Sequence, residues 1–231
     1  MDALNARSTP APLSPSGATT RWERIGGAFF RARSVTPIGI LAAALLWPTP
    51  GGLTAARLAG AAALLVAGEA LRLWAVGVAG KLTRTRGSNV KGLVTSGPFG
   101  FVRNPLYLGN FAIAGGVAVL SKVGWLLWAM PLLFALQYAA IVAWEERVLA
   151  QAFGEAYDDY RRGVRRWVPS PRRYRGAAGP AWAAGIAWRS ERDTLVGLAA
   201  VVALLVVKHL AAHGSIAAFW LGAARALGMA R

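Results

Sequence analysis

The chain has 231 residues, of which 55% are hydrophobic and only 16% charged, yet its formal net charge is +16. A soluble globule this basic carries far more charge overall, so the combination points to a membrane protein with basic flanks and away from a water-soluble fold. Cysteine is absent, which excludes structural disulfides, thiolate zinc sites and cysteine nucleophiles together.

The tail over residues 1–33 opens on some twenty residues rich in Ser, Pro, Ala and Thr. It reads as a disordered segment without the compact apolar stretch of a cleavable signal peptide. Crossing the hydrocarbon takes about 20 predominantly apolar residues, and residues 34–80 hold two such runs. The first lies within Ser34–Ala56 and ends near Pro48 and Pro50; the second runs from about Leu58 to Gly80 and contains Glu69 and Arg72. Charges at i,i+3 inside an apolar run are expensive, so this pair is predicted to face the bundle interior. It does so either as an ion pair that sets helix rotation or as a contact for a substrate headgroup.

A polar segment follows and opens the central region, residues 81–170. Ser96-Gly97-Pro98 breaks the backbone, and Pro105 biases Asn104 away from helical geometry. Pro105 suits the first turn of a third span, about Leu106–Leu120, with Asn104 as its N-cap. Arg103, Asn104 and Tyr107 then cluster at a helix entrance whose N–H groups favour an anion. A capped entrance with an interfacial tyrosine describes the same residues.

A tight turn at Ser121-Lys122 leads into a fourth span, Val123–Trp144, which stops at Glu145-Glu146. If both runs cross the bilayer, the hairpin returns these acids to the face that carries the Arg-Asn-Pro-x-Tyr turn. Adjacent acids at a helix C-terminus oppose the macrodipole and resist burial unless something compensates them. Arg147 does so in a structural account; a vicinal diol or a sulfonium does so in a functional one, since ionised carboxylates are pure acceptors.

Residues Glu146–Arg162 read as an amphipathic helix at the interface, with Leu149, Phe153, Tyr157 and Tyr160 on one face. Seven arginines between Arg161 and Arg175 interleave with Trp167 and Tyr174. In isolation that is a nucleic-acid footprint. Beside a span it reads as topology determinants, interfacial anchors and anionic-lipid contacts, so membrane lipids rather than nucleic acid are the expected partners. A basic linker, 171–193, leads to a final hairpin, 194–231, with spans at about Thr194–Leu210 and Ser215–Leu227. His209 and His213 have the i,i+4 spacing of metal ligands, but no Glu completes a zincin motif, so they are expected at a helix end facing solvent or headgroups, with no metal.

Lys and Arg alternate between connections. Five lie in residues 1–34, five in 80–105 and ten in 145–193, against none in 48–56 and one each at Lys122 and Lys208. The positive-inside rule then places both termini and the polar segment in the cytoplasm. The expected fold is an all-α polytopic bundle of about six transmembrane helices in a bacterial-type inner membrane, with cytoplasmic loops and an interfacial amphipathic helix. There is no G-x-G-x-x-G after a strand and no Walker motif, which excludes a soluble Rossmann-type enzyme.

The ordered motifs resemble the integral-membrane isoprenylcysteine carboxyl methyltransferases and the related phospholipid methyltransferases. They run Gly97-Pro98-Phe99, Arg103-Asn104-Pro105-Leu106-Tyr107-Leu108-Gly109, Glu145-Glu146-Arg147-Val148-Leu149 and Phe153-Gly154-Glu155-Ala156-Tyr157-Asp158-Asp159-Tyr160, ending in Val164–Pro169. The resemblance covers about residues 80–170. It implies S-adenosylmethionine bound by Lys91, Gly92, Leu93, Val94, Phe99, Asn104, Pro105, Leu106, Tyr107, Glu145 and Glu146, with Arg103, Asn104, Tyr107 and Glu145 at the chemistry. It further implies a cytoplasmic cofactor site and methyl transfer to a prenylcysteine-like, phospholipid or other lipid-soluble acceptor, without metal. Two departures stand out. Asn104 replaces a histidine common in the family, and Ile141 occupies the position of a substrate-side arginine in the prenylcysteine enzymes. These departures favour the alternative of a non-catalytic membrane scaffold or lipid-binding protein that retains the fold.

Overall fold

The computed structural model describes residues 28–29, 35–49, 52–80, 92–176 and 179–212. Among them are six α-helices and no strand: α1 (Val35–Leu46), α2 (Ala55–Ala79), α3 (Pro105–Ser121), α4 (Leu126–Phe153), α5 (Glu155–Gly163) and α6 (Ala184–Ala212), with a 3-10 turn at Gly97–Gly100. Three stretches are long and apolar enough to cross a membrane: Ala55–Ala79, Leu126–Phe153 and Ala184–Ala211. Thr36–Leu46 and Pro105–Ser121 are apolar but shorter. The architecture is the all-α membrane bundle read from the sequence. The expected sixth span, His213, Lys91 and nearly all of the N-terminal tail lie outside the described residues.

Helix boundaries follow local chemistry. Thr54 caps α2 by accepting from the Arg57 N–H at 3.3 Å, which satisfies one donor the helix leaves open. The α3–α4 turn is held by Ser121, whose hydroxyl donates to the Ala118 carbonyl at 2.8 Å and accepts from the Val123 N–H at 3.1 Å. α2 and α3 run antiparallel and touch backbone to backbone. A Cβ on Gly68 would lie 2.7 Å from the Gly109 carbonyl oxygen, and one on Gly109 2.8 Å from the Gly68 oxygen. Small residues permit this approach, which van der Waals packing rewards where lipid offers no hydrophobic driving force between helices.

Two helices outrun their hydropathy. α4 passes through Glu145 and Glu146 and continues to Phe153, so these acids sit inside a helix rather than at its C-terminus, and the macrodipole argument does not apply to them. The break falls at Gly154, whose φ of 50° suits glycine and splits the expected Glu146–Arg162 helix into the end of α4 and the separate α5. α6 begins at Ala184, ten residues before the expected span, because its first turns carry Arg189, Glu191, Arg192 and Asp193 and lack the apolar signal of a span.

The bundle has two unlike ends. One is an apolar core of Ile40, Ala44, Ala61, Val117, Leu120, Leu126, Met130 and Leu205 from α1, α2, α3, α4 and α6. There Lys208 Nζ donates to the Ala44 and Trp47 carbonyls at 2.7 Å. His209, expected at the surface, is instead buried with Nε2 3.0 Å from the Leu120 carbonyl. Both side chains serve helix C-terminal carbonyls that have no intrahelical donor. The other end gathers the C-terminal part of α2, the 3-10 turn, the α3 entrance, the second half of α4 and α5.

Candidate functional site

The site is built from a loop and a strap. Residues 99–104 lie along residues 161–174, joined by Arg103 N–H to Arg165 O at 2.9 Å, Ser170 N–H to Phe101 O at 2.7 Å and Tyr174 N–H to Gly100 O at 2.9 Å. Side chains reinforce the zipper. Tyr160 donates to the Phe99 carbonyl at 2.8 Å, and Arg103 Nη1 donates to the Arg161 and Val164 carbonyls at 2.8 Å. Asn104, expected as the N-cap of α3, makes no side-chain cap; its Nδ2 donates to the Arg166 carbonyl at 3.1 Å. The α3 entrance therefore keeps its first-turn N–H groups clear of a side-chain cap.

Beneath the strap, α5 buries Tyr157 and Tyr160 against Val164, with Leu93, Leu149, Phe153 and Tyr174 around them. Burial pushes both phenols well above their usual pKa; the Glu146 carboxylate adds to the shift at Tyr157, and Tyr157 adds to that at Tyr160. On the other side Phe99 packs on Ala75 and Ala79 of α2, with Val94 and Leu106 alongside. Gly92 lies in the stretch leading into the turn, and Pro105 is buried at the start of α3.

The adjacent acids part company. Glu146 accepts from Arg103 Nε at 3.1 Å and Nη2 at 2.9 Å, from Arg166 Nε at 3.0 Å, and also from Arg166 Nη2. One carboxylate thus ties the loop to the strap. Glu145 instead accepts from the Tyr107 hydroxyl at 2.8 Å. Behind that pair stands an aromatic column: Tyr107 and Tyr138 with ring centroids 4.5 Å apart, Tyr138 stacked on Phe134 at 4.1 Å, and Phe134 edge-on to Phe111 at 4.8 Å. One turn further along α3, Asn110 meets Arg72, which also donates to Glu191 at 2.5 Å and sits 3.8 Å from Glu69. The expected inward pairing of Glu69 with Arg72 is present, but its stronger member is Glu191. Ile141 is fully buried in the bundle.

The structure therefore brings Tyr107 to Glu145 and Arg103 to Glu146, while Asn104 bonds the strap at Arg166. Several contributors, Asn110 among them, escaped the sequence reading. Tyr138 lies two helical turns before Glu145, a spacing that marks one face of α4 and was available as a signal. Arg166 is one of seven similar arginines, and Glu191 sits outside any apolar run, so neither announced a partner.

The sequence profile of the phospholipid methyltransferase family matches residues 37–156, from α1 into α5. The cobalt-zinc-cadmium resistance protein CzcN of Cupriavidus metallidurans is 35% identical over 106 residues, which cover 46% of this chain and 45% of that protein. The nickel-cobalt-cadmium resistance protein NccN of Alcaligenes xylosoxydans xylosoxydans is 36% identical over 77 residues, covering 33% of this chain and 36% of that protein. The chain thus spans less than half the length of these curated relatives. No solved structure matches it.

Proposed function

This chain belongs to the phospholipid methyltransferase family, and from that premise we propose that it uses S-adenosylmethionine to methylate a lipid-soluble acceptor within the membrane. The observation that carries the reading is the Tyr107–Glu145 hydrogen bond at the uncapped entrance of α3, beside the Tyr107–Tyr138–Phe134 aromatic column. The residues suit a sulfonium nucleoside. Glu145 is an acceptor for ribose hydroxyls or the amino group, the aromatic faces attract the sulfonium, and the first-turn N–H groups of α3 favour the carboxylate. Lys91 is a further partner for that carboxylate. When bound, this cofactor supplies a methyl group already activated on sulfur.

The chain's own part is then placement. Tyr107 orients Glu145. Arg103 and Glu146 hold the loop that runs through Phe99, Asn104, Pro105 and Leu106, and the Gly92–Val94 stretch closes the same end of the bundle. Holding nucleophile and methyl group in line contributes up to about 7–11 kcal/mol in well-oriented systems. The distribution of Lys and Arg supports a cytoplasmic face for this end of the bundle.

Isothermal titration of the detergent-purified protein with S-adenosylhomocysteine tests the reading. Binding is expected, and Glu145→Gln is expected to weaken it by about 10–100-fold, since a hydrogen bond to a charged group is worth about 1.5–3 kcal/mol. No binding at millimolar ligand removes the cofactor claim. Asn104, which stands where many relatives have a titratable histidine and donates to the Arg166 carbonyl, favours the scaffold alternative. Radiolabelled methyl transfer to membrane lipids separates the two, because a scaffold yields no product.

The relatives' names suggest a second context, resistance to divalent transition-metal ions. We assign that context to modification of a membrane component, because the family is one of methyltransferases. A deletion strain with unchanged cobalt tolerance refutes it.

A further inference from the structure

The cluster at Arg72 is unbalanced. Glu69 is 6% exposed and Glu191 2% exposed, and both face the single guanidinium of Arg72. Two carboxylates share one guanidinium inside a bundle, where charge is expensive, so that guanidinium compensates at most one of them. The hydrogen bonds are uneven as well. Arg72 directs Nη1 to Asn110 and Nη2 to Glu191, while its Nε is 3.8 Å from Glu69 Oε2, too far to bond. Both oxygens of Glu69 are buried without a hydrogen-bond partner among the described residues, as is Arg72 Nε. A buried carboxylate normally has its acceptors filled; this one turns them into the cluster and leaves them open.

The position is suggestive too. Asn110 lies three residues after Tyr107 on one face of α3, about 5 Å deeper in the bundle. Its Nδ2 is 3.5 Å from the Tyr138 hydroxyl, and the Tyr138 ring lies against Tyr107. The unmet carboxylate and the Tyr107–Glu145 pair are thus linked by one chain of contacts through Arg72, Asn110 and Tyr138. α6 completes it through Glu191, from beyond the family-matched segment.

We infer that Glu69, backed by Arg72, Asn110 and Glu191, is the headgroup site of the acceptor, and that it takes an N–H or O–H donor, an ammonium or a hydroxyl, and rejects a carboxylate. A donor headgroup fills the Glu69 acceptors, whereas a carboxylate brings only further acceptors to a cluster already short of donors. Only the word acceptor rests on the methyltransferase reading; the binding site stands without it.

The test is native mass spectrometry of the purified protein loaded with tetradecylamine, tetradecanol or tetradecanoate. Retention of the amine and the alcohol is expected to exceed that of the carboxylate by about tenfold or more, a 1.4 kcal/mol difference. Glu69→Gln keeps the shape and breaks no internal hydrogen bond. It is expected to reduce amine retention by about tenfold while leaving S-adenosylhomocysteine affinity unchanged and the thermal midpoint no lower than the parent's. Equal retention of the carboxylate, or amine retention indifferent to Glu69→Gln, overturns the site even where S-adenosylhomocysteine binds. Donor selectivity that persists without S-adenosylhomocysteine binding supports the site and refutes the cofactor reading alone.

Discussion

Replacing Glu146 by alanine separates the two adjacent acids by experiment. The carboxylate joins Arg103, 12% exposed, to Arg166, 41% exposed, and is itself 14% exposed. Losing it strips Arg103 of two charge-assisted hydrogen bonds in a partly dry site, about 1.5–3 kcal/mol. Arg103 keeps its bonds to the Arg161 and Val164 carbonyls, so the buried cation is not abandoned. Arg166 is exposed enough for water to replace most of its share, which adds at most about 1 kcal/mol. The sum is about 2–4 kcal/mol, which lowers the thermal midpoint by roughly 5–15 °C for a chain of this size. Glu145→Gln leaves Tyr107 an amide oxygen to donate to, so its midpoint stays within about 2 °C of the parent while cofactor affinity falls. Unfolding in detergent, followed by intrinsic fluorescence, measures both. If the two variants lose equal stability, or Glu146→Ala loses none, the division of labour between the acids is wrong.

Three further outcomes follow from packing and burial. Gly109→Ala places a methyl 2.6 Å from Arg72 Cγ and 2.8 Å from the Gly68 backbone oxygen; it should force α2 and α3 apart at about 1–3 kcal/mol, read as a lower thermal midpoint. Gly77→Ala should expel the Trp182 indole, whose Nε1 would lie 2.1 Å from the new methyl, and break its hydrogen bond to the Leu73 carbonyl; an unchanged midpoint and unchanged tryptophan emission would contradict this. The raised Tyr157 and Tyr160 phenols give a signed pH dependence. The unfolded chain releases these protons near pH 10 and the folded one only above it, so stability is flat below about pH 10 and falls above it, by on the order of 1 kcal/mol per pH unit for each phenol. Midpoints measured from pH 8 to 11.5 should show that decline, and the Tyr157→Phe, Tyr160→Phe double variant should flatten it.

Much of the fold was legible because a membrane helix declares itself locally. Apolar runs, the Pro105 entrance and the Ser121-Lys122 turn each depend on neighbours a few residues away. The α6 start was misplaced for the same reason in reverse: charges at Arg189 to Asp193 conceal a helix that continues through them. Gly154 also broke a periodicity that ran through it, since a pattern of apolar spacing carries no information on backbone φ.

The candidate site divides along the same line. Sequence motifs named Tyr107, Glu145 and the Arg103-Asn104-Pro105 entrance, and a hairpin of two apolar runs sufficed to return them to one end. They could not tell the acids apart. Neighbours on a helix point about 100° away from each other, so which one meets Tyr107 and which meets the arginine strap depends on what packs there. Nor could they pair Arg72 with Glu191 across 119 residues or show that the oxygens of Glu69 go unmet. Apolar helices and tight turns follow from contacts a few residues long, and the chain alone determined most of them. The partners of charged groups are set by packing between distant segments, and only the folded bundle decided those.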